Sequence, residues 1–220
     1  MSISRFLFLL PPLSLILSLN SFAAAPPDTV WRPSVTAGME VTGLGRELLE
    51  PGSRQWEWSL SLEWREDWFA TLEAGMLNTA IDRVTHNYFA DGWFVRAGAD
   101  YNLLKRDEKN LHDLILLIFR YGYGRLNHES TRIIITDPYW GSYETALPLE
   151  TFQAHWLELG VGIKARITGP LYMGWSIRTR LMLTRTQDLQ MDPYKLGGFG
   201  KLENNPTVGI RYSLFFKIPV

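Results

Sequence analysis

Between Gln55 and Trp64 the chain reads QWEWSLSLEW, with Trp56, Trp58, Leu60, Leu62 and Trp64 at every second position and Glu57, Ser59, Ser61 and Glu63 between them. Successive side chains of a β-strand point to opposite faces, so the stretch predicts a strand with one face of Trp and Leu and one of carboxylates and hydroxyls. Seven further segments repeat the period of two. Their apolar faces begin with Val35 to Val41, Trp68 to Met76 and Trp93 to Tyr101, and continue with Leu157 to Ile167, Leu171 to Leu183 and Val208 to Ile218. The fifth segment, DLILLIFRYGYG, is the least regular: Ile115, Leu117, Phe119, Tyr121 and Tyr123 make one face, but Leu114, Leu116 and Ile118 break the polarity of the other. Several runs reach the ~9 to 11 residues that a tilted strand needs to cross a bilayer.

The connections alternate in length. Segments two and three are joined by the turn at REDW and segments six and seven by TGP, whereas longer loops are expected near 43–54, 77–91, 125–155 and 185–206. Short turns at one end and long loops at the other mark an up-and-down outer-membrane barrel. The expected fold is therefore all-β: an eight-stranded antiparallel up-and-down transmembrane β-barrel over 34–220, with both termini on the periplasmic side.

Alternation does not by itself say which face looks outward, since an inside-out barrel has the same period. Three features decide it. Trp56, Trp58 and Trp64 flank Leu60 and Leu62, as aromatic girdles flank a hydrocarbon band. The polar faces are rich in Gly and Ser, which suit a narrow lumen, and the bulky apolar faces would overfill it. The apolar side is thus expected to meet lipid.

The residue totals change this picture little. A mean hydropathy of −0.08 is what two cancelling faces give, and a net charge of −1 offers no basic surface for nucleic acid. There is no cysteine, which removes disulfides, thiolate metal sites and lipidation of an N-terminal cysteine. The first residues matter more. Arg5, the run FLFLLPPLSLILSL and the small residues Ser21 and Ala23 have the order of a secretory signal peptide over 1–23, followed by a periplasmic leader over 24–33. The expected location is the outer membrane of a Gram-negative bacterium, with outer-membrane lipid and the barrel-assembly machinery as partners.

Inward acids from the first half and inward bases from the second meet when the barrel closes. Glu57, Glu63, Glu73, Arg178, Arg180 and Arg211 are the expected interior charge cluster, and salt-bridged filling is favoured over an ion path or substrate site because eight strands leave no aqueous channel. NHES, Asn127 to Ser130, is the one place where His, acid and hydroxyl cluster. It makes His128 the first candidate if the barrel were a lipid-modifying enzyme, although neighbours on an extended chain point apart. Asp-Pro-Tyr occurs twice, at Asp137 and Asp192, and Tyr139, Trp140 and Tyr194 are candidates for binding a surface glycan or protein. Packing of these aromatics and of Tyr143 and Phe199 over the barrel mouth is the preferred alternative. GGFGK has no helix behind it and is not a phosphate loop. No cofactor or metal is expected.

The stretches FRYGYGRLNHES, DPYWG, HWLELGVGIKARI, LYMGWSIR, GFGK and YSLFFKIP resemble a family of small outer-membrane proteins of Bacteroidota-type bacteria that form a domain of unknown function. The resemblance implies an eight-strand barrel and supplies no catalytic residues. The C-terminus FFKIPV departs from outer-membrane barrels in lacking a terminal aromatic, which leaves Phe216 as the candidate assembly signal. The expected function is a noncatalytic envelope or surface-loop binding protein. The alternatives are a membrane-embedded hydrolase or acyltransferase acting on lipid, and a soluble periplasmic lipocalin-like binder.

Overall fold

The structure is a computed structural model that describes residues 33–43, 52–104, 112–187 and 189–219. The signal peptide expected over 1–23, the leader up to residue 32 and most of the connection at 43–54 lie outside the described residues. The strands are β1 (Ser34–Glu40), β2 (Ser53–Arg65), β3 (Trp68–Asp82), β4 (Asn87–Asn102), β5 (Leu114–Asp137), β6 (Gly141–Thr168) and β7 (Leu171–Arg185). The short pair β8 (Lys195–Leu196) and β9 (Gly200–Lys201) precedes the last strand, β10 (Thr207–Pro219). Eight of them form a closed antiparallel ring in the order β1-β10-β7-β6-β5-β4-β3-β2, and β8 and β9 pair with each other.

Tight turns close one end. Glu66 and Asp67 join β2 to β3 with Asp67 at a φ of 63°, and Gly169, at a φ of 49°, joins β6 to β7 before Pro170. Asp and Gly tolerate this left-handed backbone, which β-branched residues resist.

At the other end, two stretches expected to be loops are mostly strand. β3 runs on to Asp82 and β4 starts at Asn87, and Arg83 N donates to His86 O at 2.8 Å across a short reversal. The stretch 125–155 is a two-stranded ribbon: β5 and β6 pair from Leu114↔Lys164 to Asp137↔Gly141, with register shifts on either side of Ser130. Its tip is tied by Asp137 Oδ1, which accepts from Tyr139 N at 2.7 Å and Trp140 N at 2.9 Å. The physical reason is that the outward positions turn polar at Arg125, Asn127 and Glu129 while the pairing continues. Hydropathy marks where the apolar belt stops, and backbone pairing is indifferent to that boundary.

The outward face is a continuous apolar belt. Leu60, Leu72, Leu159 and Ile177 point outward, with Leu60 51% exposed, while their sequence neighbours Ser61, Glu73, Glu158 and Arg178 are buried in the lumen. Aromatic rings border the belt. Trp64, Trp68 and Tyr101 lie at the edge nearest the tight turns, with ring centroids 6.5 Å and 4.9 Å apart. Trp93, Tyr123 and His155 form the outer edge, 5.5 Å and 4.7 Å apart, where Tyr121 Oη and His155 Nδ1 are hydrogen-bonded at 2.7 Å. From Trp93 to Tyr101 is about 27 Å of strand at ~3.4 Å per residue, or roughly 20 Å along the axis at a ~40° tilt, close to the ~25 Å apolar band of such barrels.

Placing a charge in this belt tests it. Leu60→Arg is expected to destabilise the barrel in lipid vesicles by about 2–4 kcal/mol, read from reversible denaturant unfolding, whereas Ala80→Arg, at an exposed position beyond the girdle, changes it by less than about 1 kcal/mol.

Candidate functional site

The lumen is filled in three layers, and each follows from which residues face inward at that height. At the end closed by the tight turns Phe69, Leu116 and Ile118 pack together with Leu114. The residues that spoil the alternation of the fifth segment are therefore the lumen's apolar floor.

The middle layer is ionic. Glu73 is the hub: its Oε2 lies 2.8 Å from Arg96 Nη2, its two oxygens accept from Arg178 at 2.9 and 3.0 Å, and Arg120 Nε donates to Oε1 at 3.4 Å. Glu57 accepts two hydrogen bonds from Arg211, at 2.6 and 2.7 Å, and one from Arg96. Glu158 lies 3.2 Å from Arg96, 3.4 Å from Arg178 and 3.5 Å from Arg180, and Arg120 pairs with Asp100 at 2.8 Å. Forked guanidinium-to-carboxylate pairing of this kind meets several lone pairs at once, which a buried carboxylate requires.

Above the ions lies an aromatic layer. Trp156, Phe94, Phe152, Leu77 and Leu126 are buried there, joined by Leu196 and Phe199 from the β7–β10 connection, which folds into the barrel mouth. Phe199 packs edge-on against Trp156 with centroids 5.9 Å apart. The plug is fastened to the layer below: Arg180 Nη1 donates to Phe199 O at 2.7 Å and Arg96 Nη1 to Gly198 O at 3.4 Å, and Trp156 Nε1 donates to Glu158 Oε1 at 2.8 Å. In the ionic layer the guanidiniums of Arg96, Arg120, Arg178, Arg180 and Arg211 face the carboxylates of Glu57, Glu73, Asp100 and Glu158. Arg180, 3.5 Å from Glu158, also meets the buried carbonyl of Phe199.

Three of the large inward rings fit so narrow a cylinder because they lie across from glycines. Gly122 pairs with Trp156, Gly75 with Phe94 and Gly38 with Phe215, and a Cβ on any of the three glycines would run into the ring opposite. Gly198, at a φ of 77°, gives Phe94 the same clearance from the plug side. The Gly-rich polar face thus has its small residues where neighbouring strands place large ones.

Of the six expected cluster residues, Glu57, Glu73, Arg178, Arg180 and Arg211 come together. Glu63 sits apart, nearer the floor, where it accepts from Ser34 Oγ at 3.0 Å and lines a void of about 20 Å³ with Lys164, His112 and Lys217. At that end burial, followed by the charges of Arg166 and Lys217, holds His112 below the ordinary imidazole range. Arg96, Asp100, Arg120 and Glu158 complete the ionic layer and were absent from the expected set, although Arg96, Asp100 and Glu158 stand on inward positions of their segments. Trp156, also inward by parity, signalled the aromatic layer.

The NHES stretch lies on β5. His128 and Ser130 both point inward and are fully buried, Glu129 points the other way, and the Ser130 hydroxyl is held against the backbone carbonyls of Asn87 and Arg132, the latter at 3.2 Å. Neither nitrogen of His128 has a hydrogen-bond partner among the described residues, so no Ser–His pair of the kind nucleophilic catalysis uses is formed there. A lipocalin-like interior site finds no room either: the void inside the ionic layer is about 50 Å³, far below a ligand pocket of ~300 Å³ or more. Tyr139 and Trp140 at the ribbon tip are 93% and 90% exposed, Tyr194 is partly exposed beside the plug, and Phe199 is wholly inside. No group of three or more His, Cys, Asp or Glu suited to a metal ion occurs among the described residues.

The family model for the Domain of unknown function (DUF6048) matches residues 2–220. The chain belongs to this family. No curated protein matches the sequence. Among solved structures the DUF6048 barrel resembles a major outer membrane protein from Thermus thermophilus, with a TM-score of 0.50 at 11% identity, covering 84% of this chain and 98% of that one. It is also similar to Ail, the attachment invasion locus protein of Yersinia pestis, with a TM-score of 0.40 at 11% identity over 84% of this chain and 97% of that one. The Thermus likeness establishes the shared fold: eight antiparallel strands in a closed ring, as in outer-membrane barrels.

Removing the hub of the ionic layer leaves several guanidiniums short of a partner. Glu73→Ala is expected to cost about 3–5 kcal/mol, lowering the temperature at which the unheated band converts to the unfolded one on gels. Asp82→Ala, which breaks the exposed 3.7 Å pair with Arg132, changes it by less than about 1 kcal/mol.

Proposed function

We propose that the DUF6048 barrel is an integral protein of the bacterial outer membrane that neither conducts nor catalyses and acts through the surface it presents outside the cell. One observation carries this reading: the lumen is closed at every level, by the apolar floor, the Glu57–Glu73–Glu158 ion network and the Phe199 plug, while the outward belt is apolar throughout. A sealed barrel has only its two rims to offer a partner. The outer rim carries far more polypeptide, including the β5–β6 ribbon with Tyr139 and Trp140 at its tip.

Export through a signal peptide over 1–23 and placement in the outer membrane fit the order of charged, apolar and small residues at the start of the chain and the lipid-facing belt. On this reading outer-membrane lipid is the solvent of the belt. The assembly machinery engages the final strand through Phe216, the aromatic nearest to the C-terminal IPV.

Two measurements test the reading together. Purified barrel reconstituted in a planar bilayer should leave the membrane insulating, and in cell envelopes it should stay in the pellet after carbonate and leave it only with detergent. Steady unitary conductance, or release by carbonate alone, would refute it.

A further inference from the structure

On the wall that the reading above turns to lipid, β5 and β6 carry a patch of polar side chains at the outer edge of the belt. Arg125 and Gln153 stand directly opposite each other across the two strands, and Tyr123 and His155 are the next outward-facing pair, one step into the belt. Trp93 closes the β4 side: it is opposite Arg125 in register, and its ring meets Tyr123 edge-on at 5.5 Å. Ionisable side chains turned toward lipid are costly and mark functional positions, so the patch points to an occupant.

The open groups of the patch are donors. Tyr123 Oη donates to Gln153 Oε1 at 3.0 Å, which leaves the Gln153 NH2 as the free end of that amide. Tyr121 Oη is hydrogen-bonded to His155 Nδ1 at 2.7 Å, and a hydroxyl that donates there leaves the imidazole proton on Nε2. Arg125 is exposed and makes no hydrogen bond or ion pair among the described residues. The Asp91 carboxylate, opposite Asn127, and that of Glu129, opposite Phe89, lie further from the belt and pair with no member of the patch. Their charges confine a bound anion to the belt side of Arg125 and turn away a polyanion.

This arrangement selects a class of ligand. A cation is repelled by Arg125, and an acyl chain or a neutral sugar leaves its charge without a counterpart. A single phosphate matches all three donors: its oxygens accept from the guanidinium fork and from the neighbouring N–H groups, and its charge is opposite. Height gives the source, because Trp and Tyr girdles lie at the level of the lipid headgroups. We infer that this patch holds the phosphate of an outer-leaflet lipid, with Arg125 as the principal contact and Gln153 and His155 as flanking donors. The inference rests on the reading of the apolar belt as the face turned to lipid.

The test is titration of the full barrel in detergent, followed by native mass spectrometry, with three probes: dioleoyl phosphatidic acid, dioleoylglycerol, which has the same chains without the phosphate, and inorganic phosphate. The phosphatidic acid should be held at least about ten-fold more tightly than the diacylglycerol, and Arg125→Gln should weaken it about ten-fold and His155→Phe about three-fold. Arg83→Gln, which removes an exposed arginine of the β3–β4 reversal outside the patch, should leave it unchanged, and every variant should keep the wild-type gel shift of the folded barrel. Equal retention of the two lipids, wild-type affinity in Arg125→Gln, or the same loss in Arg83→Gln would overturn the site. Displacement of the lipid by an equal concentration of inorganic phosphate would overturn the lipid as the source. Any of these results with the barrel still held in carbonate-washed envelopes removes the patch alone, whereas release by carbonate removes the reading of the belt beneath it.

Discussion

Closure of the hydrogen-bonded ring is the constraint from which everything else in this molecule follows. In hydrocarbon no water is present to take up an unpaired N–H or C=O, so a sheet that spans lipid has to pair its first strand with its last. β1 meets β10 in register from Ser34↔Pro219 to Glu40↔Ser213, and the ring is complete at eight strands. Eight strands fix the diameter, and the diameter leaves an interior only wide enough for side chains. The outward face is then obliged to be apolar and the inward face to fill itself.

How the interior is filled explains its composition. Strands that alternate Trp or Leu with Glu or Ser deliver polar groups to the inside, and buried charges are tolerable only when each is paired and hydrogen-bonded. Acids on β2, β3 and β6 and arginines on β4, β5, β7 and β10 satisfy that condition across the lumen. The same arginines reach upward to the Gly198 and Phe199 carbonyls, so the plug and the ion network form one hydrogen-bonded body. Glycines opposite Trp156 and Phe94 let the aromatic layer sit in the remaining width. A pore-forming relative of this architecture would need more strands.

The barrel itself was legible in the sequence because its strongest signal, strict alternation from Trp56 to Trp64 or from Leu157 to Ile167, is that of strands with one apolar and one polar face. The acids and bases of the lumen were legible as faces, since parity alone sends Glu57 and Arg211 inward. Their partners were not: which of Arg96, Arg120 and Arg178 meets Glu73, and which of the arginines meets Glu158, depends on register and tilt, which no single strand encodes. Phe199 was legible as an aromatic packed over the barrel mouth, but its descent into the lumen was not. Phe199 lies in an irregular Gly-rich stretch, where period gives no direction, and its inward turn is specified by Arg180, Trp156 and Phe94 on other strands. The ribbon over 125–155 was missed because its outward residues become polar above the belt while pairing goes on.

Which face meets hydrocarbon is the claim on which the whole account stands, and the absence of cysteine makes it directly measurable. Single cysteines at Leu60 and Ile177, and at their inward neighbours Ser61 and Ser176, can each carry a nitroxide in the barrel reconstituted in lipid. Collision with oxygen dissolved in the hydrocarbon should be high, and with an aqueous nickel chelate low, at 60 and 177, with both low at 61 and 176. High oxygen accessibility at 61 and 176, with 60 and 177 shielded, would mean that the barrel is turned inside out relative to this description.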